Sequence, residues 1–290
     1  MLCGGRSQRM GRPKALLPWF GRTLIEHVVA TLAPYVDETI VVTSRDFALP
    51  ASIEALGARL VMDSEPARGP LAALRDGLRA ARSSAAFVTS TDAPFLTPEH
   101  VLALFERAER DGAGGGLLAV VPRAEGHLQV LSAVYPRALA EPADALLVGG
   151  DASPAMLLAR TRHRVVEGEL AAFAEASAGR PAPWTGFNTP AEYLALARVR
   201  DPRACARLEW RPAAASLSPP MSSGVARAAI AYEVPIGLLG EVLQALPREV
   251  EEALARSPCE IALGGIALGE DPDLSLPVGP GERVSVRARG

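Results

Sequence analysis

Lysine is almost absent from this 290-residue chain: of its thirty basic residues twenty-nine are arginine, and the one lysine is Lys14. Asparagine is as scarce, represented by Asn188 alone. Such depletion fits a coding bias acting on the whole chain. Lys14 is then either a chance survivor or a position that needs a compact ammonium on a flexible stem, as at a phosphate, where a planar guanidinium is no substitute. The three cysteines, Cys3, Cys205 and Cys259, lie far apart without paired spacing, which points to neither a disulfide framework nor a zinc site. No run approaches the roughly 18 apolar residues of a membrane span, and no charged-then-apolar leader opens the chain. Thirty basic residues against thirty-three acidic ones give a formal charge of −3, with no electrostatic support for nucleic acid or an anionic membrane as partner. With 49% hydrophobic and 22% charged residues, the composition excludes a disordered chain, a collagen and a coiled coil. The expectation is a soluble cytoplasmic protein large enough to bury a core unaided, as one large domain or two of unequal size.

Strand and helix signals alternate along the first two hundred residues. Thr39-Ile-Val-Val-Thr43 is a short apolar run with β-branched residues, as expected of a buried parallel strand, and Ala58 to Met62 and Ala85 to Ser90 are two more strands. Thr23 to Ala33 and Leu71 to Ala81, the latter opened by Gly69-Pro70, carry helical spacing. This alternation predicts an α/β fold, a Rossmann-like, mostly parallel sheet flanked by helices. Ligands of such sheets sit beyond the carboxyl ends of the strands, where the opening loop, Asp63 and Asp92 converge.

The opening residues, MLCGGRSQRMGRPK, combine glycines at 4, 5 and 11 with Arg6, Arg9, Arg12 and Lys14. Glycines let backbone N–H groups approach an anion, and the basic side chains add charge. The loop is neither a Walker A nor a GxGxxG loop. A carboxylate at a strand end can hold Mg²⁺ together with substrate phosphate oxygens, and Lys14 can neutralise charge on a leaving pyrophosphate. Asp63 serves equally well as a turn residue. Asp92, within Ser-Thr-Asp-Ala-Pro-Phe, is the stronger functional candidate.

Four segments in order carry a family resemblance. LCGGRSQRMGRPKALL (2–17) resembles the LAGGxSxRMGxxKALL signature of nucleotidyltransferases that include molybdenum cofactor guanylyltransferase. Asp63-Ser64-Glu65-Pro66 with Gly69-Pro70-Leu71-Ala72 is similar to that family's DSxPxxGPLAGL, Thr91-Asp92-Ala93-Pro94-Phe95 to CDMPF, and Phe187-Asn188-Thr189-Pro190-Ala191-Glu192 to NxNTPED. The resemblance implies Mg²⁺ as cofactor, and transfer of GMP from GTP to the phosphate of molybdenum-molybdopterin with release of pyrophosphate. It further implies nucleotide contacts at Leu2, Cys3, Gly4, Thr43 (where the family has asparagine) and Asp63, phosphate contact at Lys14, and metal and phosphate contact at Asp92. Lys14 and Asp92 would carry the catalysis. The attacking oxygen belongs to the substrate, so no protein nucleophile is required. Gly5, the GPLA segment and Asn188-Thr189-Pro190 lean towards guanine over cytosine, while RPKALLP suits both branches. Two departures stand out. Met1 lies almost on the loop, leaving the first strand missing or a stub, as from a start placed too late or a damaged copy. Gly186 replaces the first asparagine of NxNTP.

Residues 201–224, rich in Ala, Pro and Ser, read as a linker between a nucleotidyltransferase domain at 1–200 and a small α+β domain at 225–290. There a strand (226–234), a helix (236–246), a hairpin about Gly264-Gly265 and a closing strand (283–286) resemble the β-grasp sulfur-carrier proteins of molybdopterin and thiamine synthesis. Such carriers end in Gly-Gly; this chain ends Ala288-Arg289-Gly290, which favours a docking role. The expected partners are GTP and molybdopterin, with a molybdoenzyme or cofactor-assembly protein besides. The alternatives are a cytidylyl- or other nucleotidyltransferase acting on a pterin or sugar phosphate, and a non-catalytic nucleotide-binding or docking protein.

Overall fold

The structure, a computed structural model, describes residues 1–4, 8–66, 68–112, 116–151, 153–167, 180–211, 229–246, 248, 250, 252, 259–269 and 271–288. Gly5, Arg6 and Ser7 of the opening loop lie outside them, as do residues 212–228. The chain divides into two compact units. The first holds Met1–Arg6, Lys14–Leu16 and Leu24–Phe187, and the second holds Ser7–Pro13, Leu17–Thr23 and Asn188–Gly290.

The first unit is an α/β sandwich. Strand β1 (Leu2–Cys3) pairs in parallel with β2 (Thr39–Thr43), and β2 with β3 (Ala58–Met62). On its other side a parallel bridge from Leu2 to Ser90 joins β1 to the end of β4 (Ala85–Thr89). Beyond β4 come β6 (Ser132–Pro136), β5 (Ala119–Ala124) and β7 (His163–Val166). Strand β6 is antiparallel to both β4 and β5. The sheet is therefore mixed, where the sequence pattern indicated a mostly parallel one, because a β-turn at Glu125–Gly126 and a short return through His127–Leu128 replace a helical crossover before β6.

Helices cover both faces. The first is α1 (Leu24–Leu32), whose Ile25 and Val29 meet Val41 and Ile53. Helix α2 (Pro70–Ala80) buries Leu71, Leu74 and Leu78 against Val88, Val121 and Tyr135, and α3 (Pro98–Gly112) buries Leu104 and Ala108 against Val120 and Val134. Helices α4 (Ala140–Val148) and α5 (Pro154–Ala159) complete the first of these cores through Leu146, Leu147, Leu157 and Leu158. The glycine–proline pair acts as expected: Gly69, at φ +78°, turns the chain, and Pro70 starts α2 with its φ already helical. The first strand is indeed a two-residue stub. Before its start a cavity of about 390 Å³ opens, lined by Met1, Thr39, Ile40, Ala85 and Phe87.

The C-terminal part of the second unit opens with α6 (Pro190–Arg200) and contains a five-stranded sheet. Its strands are β8 (Cys205–Arg211), β9 (Ile230–Pro235), β10 (Cys259–Leu263), β11 (Ile266–Ala267) and β12 (Arg283–Ala288), in the order β9-β8-β12-β10-β11. Here the linker reading of 201–224 needs correction. Strand β8 falls within it and lies centrally, antiparallel to β9 and parallel to β12. Its Ala206, Leu208 and Trp210 are buried with Val284 and Val286 beneath Val242 of a short helix, α7 (Leu239–Gln244). The expected strand at 226–234 begins at Ile230, with 226–228 outside the described residues. The hairpin about Gly264–Gly265 is present, both glycines having positive φ. Among the described residues no helix is long and apolar enough to cross a membrane.

Candidate active site

The strand order of the first unit brings the carboxyl ends of β1 to β4 to one edge. The buried Cys3 ends β1, with the exposed Gly4 directly after it. Burial pushes the Cys3 thiol up to about 12, so it serves as a packing group and not as a nucleophile. Thr43, paired with Cys3 across the ladder, is only 2% exposed, and its hydroxyl lies against that thiol. The asparagine-like nucleotide contact expected at this position falls on a buried side chain.

Lys14 and Asp92, 78 residues apart, meet at this edge. The ammonium lies 2.7 Å from Asp92 Oδ2, also donates to the carbonyl of Phe187, and stands 5.3 Å above the Phe187 ring. Ser90 Oγ donates to the second oxygen, Asp92 Oδ1. Both partners remain accessible, with side chains 17% and 21% exposed. The Thr91-Asp92-Ala93-Pro94 turn is held from behind by His27, whose Nε2 lies 2.9 Å from the carbonyl of Pro94. Gly186 explains one departure from the family pattern. A Cβ there would stand 3.2 Å from the Asp92 carbonyl oxygen and 3.5 Å from its carboxyl carbon. Glycine thus lets this segment lie directly on the carboxylate.

Asp63 closes β3 in a different setting. Its backbone N–H donates to Thr43 O, and its carboxylate accepts from the N–H of Glu65 at 2.9 Å, a local turn of the kind aspartate favours. Burial raises its pKa. The following loop is fastened by a network that sequence reasoning missed. Arg75 of α2, 5% exposed, donates to Asp76, to Glu65 at 2.8 Å, to Asp144 of α4 at 3.0 Å and to Ser64 Oγ. Asp76 in turn accepts from both the N–H and the hydroxyl of Ser64. These partners hold Arg75 charged, with its pKa raised, and keep that of Asp76 lowered. An Arg-Asp pair on an amphipathic helix looks like solvent-facing charge, so spacing alone gave no signal.

Two features singled out in the sequence also have structural partners. Asn188-Thr189-Pro190-Ala191-Glu192 forms the capping box of α6: Thr189 Oγ1 accepts from Glu192 N–H, and Glu192 accepts from Asn188 and Thr189 N–H. Arg12, expected to add charge for a phosphate, is instead paired with Glu282 at 2.7 Å.

Among the described residues no three of His, Cys, Asp and Glu come together as a metal cage. Asp92 nonetheless fits a magnesium ion. It is one accessible carboxylate at a strand end that already carries a cation, the Lys14 ammonium, and Mg²⁺ characteristically takes one or two carboxylates and completes its shell with phosphate oxygens and water.

The family profile of the MobA-like NTP transferase domain matches residues 1–166. A protein of Mycobacterium avium described as a probable molybdenum cofactor guanylyltransferase is 35% identical over 206 residues, 69% of this chain and 94% of its own length. Another so described, from Natronomonas pharaonis, is 34% identical over 171 residues, 58% of this chain and 82% of its own. Among solved structures, molybdopterin-guanine dinucleotide biosynthesis protein A of Archaeoglobus fulgidus superposes with a TM-score of 0.54 at 24% identity, covering 68% of this chain and 94% of that one. The 2-C-methyl-D-erythritol 4-phosphate cytidylyltransferase of Thermus thermophilus gives 0.50 at 21%, covering 69% and 96%. At these identities the two structures speak to the fold alone.

Proposed function

We propose, from the premise that this chain belongs to the MobA-like NTP-transferase family, that it transfers GMP from GTP to the phosphate of molybdenum-molybdopterin and releases pyrophosphate. The observation that carries the reading is the Lys14–Asp92 pair at the open strand edge, where Gly4 follows β1. A phosphate oxygen of the acceptor forms a bond to the α-phosphorus as the bond to the pyrophosphate oxygen breaks. Lys14 turns from Asp92 towards the β-phosphate and stabilises the charge leaving with pyrophosphate. Leu2, Cys3 and Gly4 offer backbone groups to the nucleotide, and Asp63 stands at the next strand end but one for the base and ribose. Magnesium bound at Asp92 would supply charge neutralisation between carboxylate and phosphates. No side chain need take a proton from the attacking group, since a phosphate oxygen is already anionic.

Guanine as the base is supported by the probable guanylyltransferases among the relatives, whereas a cytidylyltransferase shares the fold. Pyrophosphate release from GTP and from CTP, each with Mg²⁺ and molybdopterin, separates the two. Turnover with GTP is expected; turnover with CTP alone would replace the base, and binding without release would favour a docking protein. We further read the second unit's sheet as β-grasp-like, on the support of its order, with a first antiparallel pair, a helix and a last strand parallel to the first. In sequence the second unit takes over at Asn188, before α6, and we read the compartment as the cytoplasm.

A further inference from the structure

The half of the opening loop that precedes Lys14 belongs to the second compact unit, and it is fastened there at several points. Arg12 makes a two-point contact with Glu282, Nη2 to Oε1 at 2.7 Å and Nη1 to Oε2 at 3.0 Å, and Nη1 also donates to the carbonyl of Pro277. Glu282 is 5% exposed and accepts as well from the N–H of Gly279 at 3.0 Å, so both of its oxygens are engaged. Gly11, at φ +63°, turns the chain where a Cβ would stand 2.7 Å from Leu276. The residues following Lys14–Leu16 are fastened to the same unit. Tyr193 of α6 donates to the carbonyl of Pro18, its ring lies 6.2 Å from that of Trp19, and the Arg200 guanidinium lies over Phe20. Gly279 is packed so closely that a Cβ would collide with the Tyr193 hydroxyl.

Lys14 is thus the first residue of a three-residue segment, Lys14–Leu16, whose flanks on both sides are held by residues 193–282. From this geometry we infer that Glu282 is a positioning residue for nucleotide binding: it acts through Arg12 to hold the chain that presents Lys14 to a nucleoside triphosphate. A buried carboxylate with three charge-assisted or backbone donors fixes one arrangement of the guanidinium, which a neutral amide does not. The inference rests on the transfer reading above, and it gives the C-terminal sheet a part in the reaction that needs no terminal diglycine.

The test is steady-state kinetics on the full chain, with GTP and the acceptor varied separately, and calorimetric binding of GTP. Glu282→Gln is expected to raise the KM and the dissociation constant for GTP about tenfold, with kcat and the acceptor KM within about twofold. A merely structural role would lower the folded fraction, so that kcat falls while the GTP KM stays; that result, unchanged kinetics, or tighter GTP binding would overturn the inference. If Glu282→Gln does not fold, Arg12→Lys keeps the charge, loses the two-point contact, and is expected to raise the GTP KM severalfold; no rise overturns the inference. A wild-type chain that neither binds nor turns over GTP or CTP removes the transfer reading and this inference with it. Wild-type turnover with unaltered variants removes this inference alone.

Discussion

Asp63 and Asp92 close parallel strands at the same edge of one sheet, yet their surroundings assign them different work. Asp92 holds a cation, Lys14, in an accessible pair, with a serine hydroxyl on its other oxygen. Asp63 holds its own backbone, and the loop after it is bolted down by the buried Arg75 network. A carboxylate that can exchange its cation for a metal or a phosphate-bound one suits the reaction centre proposed above. One whose oxygen is occupied by a backbone turn within a rigid loop is suited to recognition. Chemically alike strand ends thus diverge through what other elements deliver to them.

The largest expected effect comes from neutralising each aspartate in turn. Asp92→Asn should lower kcat about a hundred- to a thousandfold at saturating nucleotide. Asp63→Asn should act mainly on the nucleotide KM, in the steady-state assay of pyrophosphate release. Equal losses of kcat in both would erase the distinction. Next, Arg75→Met leaves Asp76 buried without its cation and should cost about 3 kcal/mol in urea unfolding. A variant of wild-type stability would show that the network is ornamental to the Asp63 loop.

The Asp92 side should answer to pH instead. His100 of α3 is fully buried against Ser132 and the Trp184 ring, and burial pulls its pKa from 6.5 to about 4. Below pH 6.5 the unfolded chain takes up a proton that the native chain refuses, so stability is full above that pH and falls as pH drops towards 4. The loss is about 3 kcal/mol at the lower end. His100→Gln should flatten this slope in unfolding titrations, and an equally steep slope would contradict the assignment. Smallest is the cap of α6: Thr189→Ala should cost about 1 kcal/mol and leave kcat unaltered. A loss of turnover there would return the Asn188-Thr189-Pro190 segment from helix capping to the substrate.

What was legible in the chain was what local chemistry decides. Thr39–Thr43 and Ala58–Met62 are strands at their expected bounds, since short, largely apolar runs closed by a polar residue suit a buried parallel strand. Gly69-Pro70 opened a helix for the same local reason. The sole lysine and Asp92 also came together as expected, because strand order alone carries both to one edge. Strand β8 was overlooked although Ala206, Leu208 and Trp210 alternate with polar residues, for its Pro- and Ala-rich flanks suggested a connection. The reversal of β6 depends on a two-residue turn with Glu125 at positive φ, a conformation its residue type disfavours. The roles of Arg12, Arg75 and Gly186 depend on Glu282, Asp144 and Asp92, each dozens to hundreds of residues distant, and no spacing reports such meetings. Charge at those positions could be counted, but its partners could not.

The Lys14–Asp92 pair as the centre of guanylyl transfer is tested most directly by following the α-phosphate of labelled GTP. With Mg²⁺ and molybdopterin, the wild-type chain should place the label in a guanylyl-molybdopterin product with one pyrophosphate released per transfer. Folded Asp92→Asn and Lys14→Ala chains should form almost none. Full product formation by either variant, or a folded wild type that forms no nucleotidyl product, would contradict it.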